Sequence, residues 1–402
     1  MKKSFVAVIC VILALGCSIS VVFFTYRNLG TGSIEAGEPL TLSPQEESSI
    51  AAQNAAEQPS ENEATVAKGA YSPGEIRDMG NNGKSSFVLG FTGDINFTPT
   101  GYVMTKARNY ENGPLDLIDE VFINEMQSAD IMLINNEFPY SDRGERQEDK
   151  KYTFRSEPEN INYLLKMGVD IVALANNHTY DYGYDAFVDT LKTVDEAGIA
   201  RVGAGMNYEE AATPAVFSIN GKTVAYFAGS GVEYPIKTPV ATKDSCGIMG
   251  TYDDGEKLCE EIAKAKDKYD YIIVFPHWGW ENTTELTNAQ RVNAKKYIDY
   301  GASAVIGCHS HCLQGMEFYK GAPIAYSLGN FWFNTKDVYT ALLKLTVSDD
   351  GIIVSLVPGR QRNSETRYLT SESERRELYD NIEKWSPEGD VSIDDNGVVR
   401  EK

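Results

Sequence analysis

The chain has only four histidines, His178, His277, His309 and His311, and each follows closely on a short apolar run. They sit in Ala175-Asn176-Asn177-His178, in His277-Trp278-Gly279-Trp280-Glu281 and in Gly307-Cys308-His309-Ser310-His311. Two further apolar runs lead into Thr92-Gly93-Asp94-Ile95-Asn96 and Asn135-Asn136-Glu137. Imidazole, carboxylate and amide oxygen are ligand types for divalent transition metals. Each piece alone has a plainer reading. Gly-Asp is usually a turn, Asn-Asn suits turns and caps, and an imidazole beside two tryptophans can be a hydrogen-bonded core residue. His309 and His311 are a stronger signal, because alternate residues of an extended segment point the same way. Since every histidine lies behind an apolar run, the set is read as one shared metal or catalytic site.

The elements that must position these residues read as α/β. Compact apolar runs of strand length occur at Phe87 to Phe91, Ile131 to Ile134, Asp170 to Leu174, Tyr271 to Phe275 and Ala304 to Ile306. Helical patterns lie between them at Leu115 to Met126, Pro158 to Met167, Tyr184 to Ala197, Gly255 to Lys266 and Asn288 to Tyr300. The Pro158 segment has proline in its first turn and Gly168 just past its end, as helix punctuation expects. More β signals follow at Ala215 to Ile219, Thr223 to Ala228, Pro323 to Ser327, Thr340 to Val347 and Ile352 to Val357, a late antiparallel portion. In open α/β sheets ligands bind beyond the carboxyl ends of strands, which is where the polar clusters fall.

Outside this domain the sequence changes character. Lys2-Lys3 precedes an apolar run from Phe5 to Phe24, long enough for a membrane-spanning helix. The lysines predict a cytoplasmic N-terminus and an extracytoplasmic remainder, a single-pass membrane protein. A lipoprotein reading at Cys17 is the alternative to this anchor, which takes residues 1–27. Residues 28–84 are rich in small and polar types and read as a flexible stalk. The folded domain spans 85–370, and 371–402 reads as a charged tail with room for one helix near Ser373 to Lys384. A net charge of −21 argues against nucleic acid as a partner. Polyanions then require bound metal to supply positive charge. Six cysteines are too few for a disulfide scaffold, although a Cys246–Cys259 bridge is open on spacing.

At its polar clusters the sequence resembles the bacterial capsule-synthesis proteins of the CapA (PgsA) family. The resemblance runs from about Phe87 to Phe333 and rests on an ordered set of motifs. These are GD at 93–94, NNE at 135–137, YTFR at 152–155, ANNHTYDYG at 175–183, GAG at 203–205, HWGWE at 277–281, HSHCLQG at 309–315 and SLGNFWF at 327–333. It implies a metallophosphoesterase-like four-layer α/β/β/α sandwich and a role in making or exporting poly-γ-glutamate. By motif, Asp94 would ligate a first metal and Glu137 would stand at the bridging position. Asn177, His277 and His309 would complete a second metal, and His311 would return to the first. The implied cofactor is one or two divalent ions, Mn, Fe or Zn. His178 is implied to be an acid rather than a ligand, oriented by Asp181.

Arg155, Asn96 and Glu281 are the expected substrate contacts. A guanidinium grips carboxylate or phosphate bidentately, with a structural ion pair as the alternative for Arg155. Two departures stand out. The superfamily's Asp-x-His is Asp94-Ile95-Asn96 here, and Glu137 is a methylene longer than Asp. Both lead to the expectation that the second metal is held more tightly than the first. Cys308 and Cys312 are read as packing, a disulfide or an extra ligand. The implied partners are the membrane, membrane-embedded capsule synthesis and export proteins, and an anionic polymer such as poly-γ-glutamate. The competing functions are a stand-alone metal-dependent hydrolase, phosphoesterase or peptidase-like, acting on an envelope or external substrate, and a scaffold with structural metal.

Overall fold

The computed structural model describes residues 69–232 and 237–402. The expected anchor at 1–27 and most of the stalk lie outside the described residues. Among the described residues no helix is long and apolar enough to cross a membrane.

The apolar runs become strands of two sheets. The first half of the chain supplies β1 (Ile76–Asp78), β2 (Ser86–Ile95), β3 (Ile131–Asn136), β4 (Ile171–Ala173) and β5 (Ala200–Val202). Then come β6 (Ala215–Ile219), β7 (Lys222–Ser230), β8 (Tyr271–His277), β9 (Ala304–Ile306), β10 (Met316–Tyr319) and β11 (Ala322–Ala325). The last are β12 (Asn330–Trp332), β13 (Val338–Ser348), β14 (Gly351–Arg362), β15 (Glu365–Tyr368), β16 (Val391–Ile393) and β17 (Val398–Glu401). The seven-stranded sheet runs β1-β6-β7-β8-β9-β11-β10. The ten-stranded sheet runs β16-β17-β14-β13-β2-β3-β4-β5, with β12 on β2 and β15 on β14. In the second sheet β2, β3, β4 and β5 are parallel, while β13 and β14 are antiparallel additions.

Every residue of β3 is buried, as expected of a parallel strand covered on both faces. One covering layer is the other sheet: Phe91 meets Tyr226, and Phe87 meets Tyr271 edge-on. The opposite face of the ten-stranded sheet carries α1 (Glu120–Ser128), α2 (Ile161–Lys166) and α3 (Gly183–Glu196), whose Phe122, Leu164, Phe187 and Val194 join the shared core. The outer face of the seven-stranded sheet is covered by α4 (Glu256–Ala265) and α5 (Asn288–Tyr300), which bring Leu258, Ile262, Ala294 and Tyr297 onto Phe227, Val274 and Val305. The result is a mixed α/β fold with helices outside two facing sheets. Helix α5 begins at a reciprocal Thr287–Gln290 capping box, the local signal that sets its start. The expected helix over Leu115 to Met126 divides into a 3₁₀ turn at Gly113–Leu117 and α1, which Asp119 caps by accepting from Val121 N.

Two stretches depart from the domain limits read in the sequence. Residues 69–84, expected as the end of the stalk, lie on the domain: Tyr71 is buried and β1 pairs parallel with β6. Residues 371–402 are more than a charged tail. Ser371 caps α6 (Glu372–Trp385), and β16 and β17 extend the ten-stranded sheet. Leu378, Tyr379, Ile382, Val391, Ile393 and Val399 enter the same core. The charged residues between these apolar positions stay on the solvent side, which is why composition alone reads as a tail.

Candidate metal centre

The polar clusters meet where carboxyl ends of strands from both sheets converge. Asp94 lies near the end of β2, Glu137 directly after β3, and Asn177 and His178 on the loop after β4. His277 closes β8, and Cys308, His309 and His311 follow β9. Strand β12 runs parallel to β2 with Asn330 level with Asp94. That pairing needs glycine at two places. A Cβ on Gly93 would fall 1.9 Å from Gly329 O, and Gly329 itself has φ +61.

Glu137 is at the middle. Its Oε1 lies 3.8 Å from His178 Nε2, 3.9 Å from His277 Nε2 and 4.0 Å from His311 Nε2. Asn177 Oδ1 is 2.8 Å from His277 Nε2. Donor atoms of Glu137, His277 and His309 lie within 4.8 Å of one another, and so do those of Asp94, Glu137 and His311. The structure thus brings together the six residues expected as ligands, with Glu137 common to both groups. The Asn135 amide donates to Asp94 Oδ1 at 2.7 Å and Glu137 Oε2 at 3.1 Å, tying the two carboxylates. His311 Nδ1 stands 2.9 Å from Asn330 Oδ1 and 3.1 Å from Asp94 Oδ2.

The residues present fit a cation. Glu137 Oε1 and His309 Nδ1 are buried with no hydrogen-bond partner among the described residues. An unsatisfied buried acceptor costs about 1–3 kcal/mol, more for a charged one, so a bound positive charge is what this arrangement lacks. Burial, and then the Asp94 carboxylate, push the Glu137 carboxyl well above its usual range. Burial also holds His277 and His309 well below the usual imidazole range, so both rings are neutral and able to ligate. The centre fits a divalent metal.

His309 and His311 do not reach the site by strand alternation. Both have left-handed backbone, with φ of 97 and 56, uncommon for residues other than glycine. Their rings still approach, with centroids 5.8 Å apart, because the loop is bent and pinned. Asn282 N donates to Ser310 O at 2.7 Å, and the Gln314 amide donates to Thr283 O and Glu285 O. Met316 N donates to Ser386 Oγ at 2.9 Å, so the segment after α6 holds this loop as well.

The other expected residues fall into distinct places. His178 Nδ1 lies 2.7 Å from Asp181 Oδ2, with the Phe154 ring 4.2 Å from the imidazole. Phe333 covers His311 at 4.6 Å and meets Phe154 edge-on, forming an apolar wall beside the centre. The Arg155 guanidinium stacks 4.2 Å over Tyr182, and no carboxylate among the described residues pairs with it. Glu281 is exposed, and its charge also raises Glu137. Asn96 shapes the turn after β2, its side-chain oxygen accepting from Thr98 N at 2.7 Å.

Cysteines 246, 259, 308 and 312 are free thiols. The Cys246–Cys259 bridge is absent because Cys246 packs in the larger core and Cys259, on α4, in the separate core under the outer helices. Cys308 Sγ is 3.3 Å from His277 Nδ1. Three residues were given no role in the sequence reading. Asn135 and Asn330 sit inside quoted motifs, which was their signal. Lys150, buried beside Asp181, lay in a charged run with no signal beyond its place two residues before Tyr152.

A buried acid–imidazole centre that fits a divalent metal, at the strand ends of a mixed α/β fold, defines a class of proteins. Within that class the chain belongs to the family described as bacterial capsule synthesis protein PGA_cap, whose profile matches residues 88–335. It is 32% identical over 251 residues to the capsule biosynthesis protein CapA of Bacillus anthracis, covering 60% of each chain. It is 31% identical over 232 residues to the PGA biosynthesis protein CapA of Bacillus subtilis (strain 168), covering 56% of this chain and 60% of that one. The chain therefore spans about 60% of the length of these relatives. Among solved structures, the NAD nucleotidase of Haemophilus influenzae is similar at 11% identity with a TM-score of 0.37, over 77% of this chain and 64% of that one.

Proposed function

We propose that this chain is an extracytoplasmic, membrane-anchored component of poly-γ-glutamate capsule assembly or export, with a metal centre of metallophosphoesterase type. The observation that carries the reading is the convergence of His178, His277 and His311 on Glu137 Oε1, with Asp94, Asn177 and His309 completing the ring. Family membership supports the capsule role, and the apolar run at Phe5 to Phe24 supports the anchor. The centre would hold one or two Mn, Fe or Zn ions, with Glu137 shared between Asp94 and His311 on one side and Asn177, His277 and His309 on the other. A bound pair of cations supplies Lewis acidity toward a phosphoryl or carboxylate oxygen. The chain's own part is to present Arg155 to an anionic polymer and to hold a proton donor, His178, beside the metal. The partners in this reading are membrane-embedded synthesis and export proteins.

The His178–Asp181 pair favours a second reading, a stand-alone hydrolase acting on an envelope substrate, over a scaffold with structural metal, because a scaffold has no use for an oriented proton donor. The test is a screen of the full chain, supplemented in turn with Mn, Fe and Zn, against phosphoesters and γ-glutamyl polymers. Turnover of a γ-glutamyl substrate supports the capsule reading, and turnover of phosphoesters alone supports the hydrolase. A chain that retains no metal after purification and resupply overturns both.

A further inference from the structure

The metal centre as described uses histidines, acids and amides, yet a buried cation stands behind it. The Lys150 side chain is 4% exposed, and its Nζ lies 2.8 Å from Oδ1 of the fully buried Asp181. The same ammonium donates to the backbone oxygen of Asn177. That carbonyl also accepts from Thr238 Oγ1 at 2.8 Å. The other oxygen of Asp181 is 2.7 Å from His178 Nδ1 and accepts from Phe154 N at 2.7 Å. Lys150 is not a surface lysine that happens to fold inward. Gln147 N donates to Asp181 O at 3.0 Å, the Gln147 amide donates to Tyr180 O at 3.0 Å, and Arg146 Nη2 donates to Lys150 O at 3.3 Å.

The geometry restricts what Asp181 can do. A carboxylate held only by an imidazole can rock about its last torsion and lose its alignment with the ring nitrogen. Here one oxygen faces the ammonium at 2.8 Å and the other accepts from the Phe154 amide, so the plane of the carboxylate is set from both sides. Oδ2 is therefore the fixed acceptor for His178. An acceptor on that side keeps a proton on Nδ1, so a proton that His178 donates leaves from Nε2, which is directed toward Glu137 Oε1, 3.8 Å away. The Phe154 ring, 4.2 Å from the imidazole, closes one face of it.

We infer that Lys150 is a positioning residue of this centre. Through Asp181 it fixes the tautomer and direction of His178, and through the Asn177 carbonyl it holds the backbone that presents an expected metal ligand. The inference rests on the reading of the site as a metal centre with His178 as proton donor, and it adds the residue that sets that donor. The plainer alternative is an ion pair that only ties the 144–151 segment to the loop after β4.

Four histidines make the two separable. In the full chain carrying ¹³C,¹⁵N-histidine, each imidazole gives its own ring signals, assigned from single His→Gln variants and recorded with and without zinc. The expected wild-type result is His178 in the Nδ1–H form. Lys150→Met should move His178 toward a mixture of tautomers while His277, His309 and His311 keep their wild-type shifts. Lys150→Arg, which retains the charge, should restore most of the wild-type His178 signal. Where a substrate has been found, Lys150→Met should lower kcat by about 10–100-fold with KM unchanged, the usual range for a partner of a site residue. An unchanged His178 signal in Lys150→Met overturns the inference. So do a common shift of all four imidazoles, or a Lys150→Met chain that no longer folds while Lys150→Arg also alters His178, since Lys150 then holds the fold. Loss of zinc binding by the wild-type chain sinks the metal-centre reading instead, and the zinc-free spectra still decide the role of Lys150.

Discussion

The two sheets build the two halves of the centre in different ways. The ten-stranded sheet contributes Asp94, Glu137 and Asn177 at or just beyond parallel strands, and the Asn135 amide ties the two acids together. The seven-stranded sheet contributes His277 at a strand end, but His309 and His311 come on a bent loop with left-handed backbone. One half is set by the sheet itself. The other is set by side chains and by the segment after α6 that grip a loop. The acidic half is thus a pair of carboxyls tied by an amide, and the imidazole half is a shape imposed on a loop.

Four outcomes break or sharpen that comparison. The largest concerns His178, which belongs to the acidic half yet is expected to act as a proton donor. His178→Ala should lower turnover of whichever substrate the screen identifies by about 10²–10⁴-fold, the usual contribution of a general acid. Bound metal, measured on the same preparation, should stay at the wild-type level. A parallel loss of metal would make His178 a ligand and remove the asymmetry.

Next in size is the ligand chemistry of each half. Glu137→Gln should weaken both Mn and Zn on the order of 100-fold, whereas His309→Asp should weaken Zn far more than Mn, because imidazole suits Zn and carboxylate suits Mn. Competition titrations with the two metals read this directly. Equal losses of both metals in His309→Asp would mean that the halves are chemically equivalent.

The third outcome is a pH dependence. The Glu137 carboxyl is pushed up by burial and by Asp94, so below its raised value a metal must displace a proton. Affinity should therefore rise with pH by up to about tenfold per unit in that range, with proton release seen as a buffer-dependent binding enthalpy. The sign for the metal-free chain is opposite. A carboxyl raised on folding contributes stability that is present below its unfolded value near 4.5 and lost as pH climbs through the folded one. Metal should reverse that loss. His277 and His309, pushed down by burial, are already neutral near pH 7 and add little to the slope there.

The smallest effect should come from the grip on the imidazole loop. Ser386→Ala removes the acceptor of Met316 N, a hydrogen bond worth about 0.5–1.5 kcal/mol. A drop of a few degrees in thermal midpoint with metal affinity changed less than tenfold is expected. If Glu137→Gln moved the midpoint less than Ser386→Ala in the metal-loaded chain, the metal would not be a structural partner of the acidic half.

The contrast between the halves also explains what the sequence could tell. The acidic half was legible: buried runs such as Ile131 to Ile134 point to strands, and the polar residues at their ends mark the site. His309 and His311 were legible as a pair, but the reason for their convergence was not, since backbone bends depend on distant partners such as Asn282 and Ser386. Lys150 was hidden in the charged run from Asp142 to Lys151, where nothing in the sequence marks the one side chain that tertiary packing buries. Strands β1, β16 and β17 are three or four residues long, too short for a period of two to register.

The central strand of the ten-stranded sheet has a consequence for how the chain comes into being. Strand β2 pairs on one flank with β13, so Phe91 finds Leu343 across roughly 250 intervening residues. Beyond β13 the sheet continues through β14 to β17 and β16. This sheet cannot close on a half-made chain. A polypeptide of this topology leaves β2 without its β13 neighbour until residues up to Ser348 have been made, so the sheet closes as a late, cooperative event.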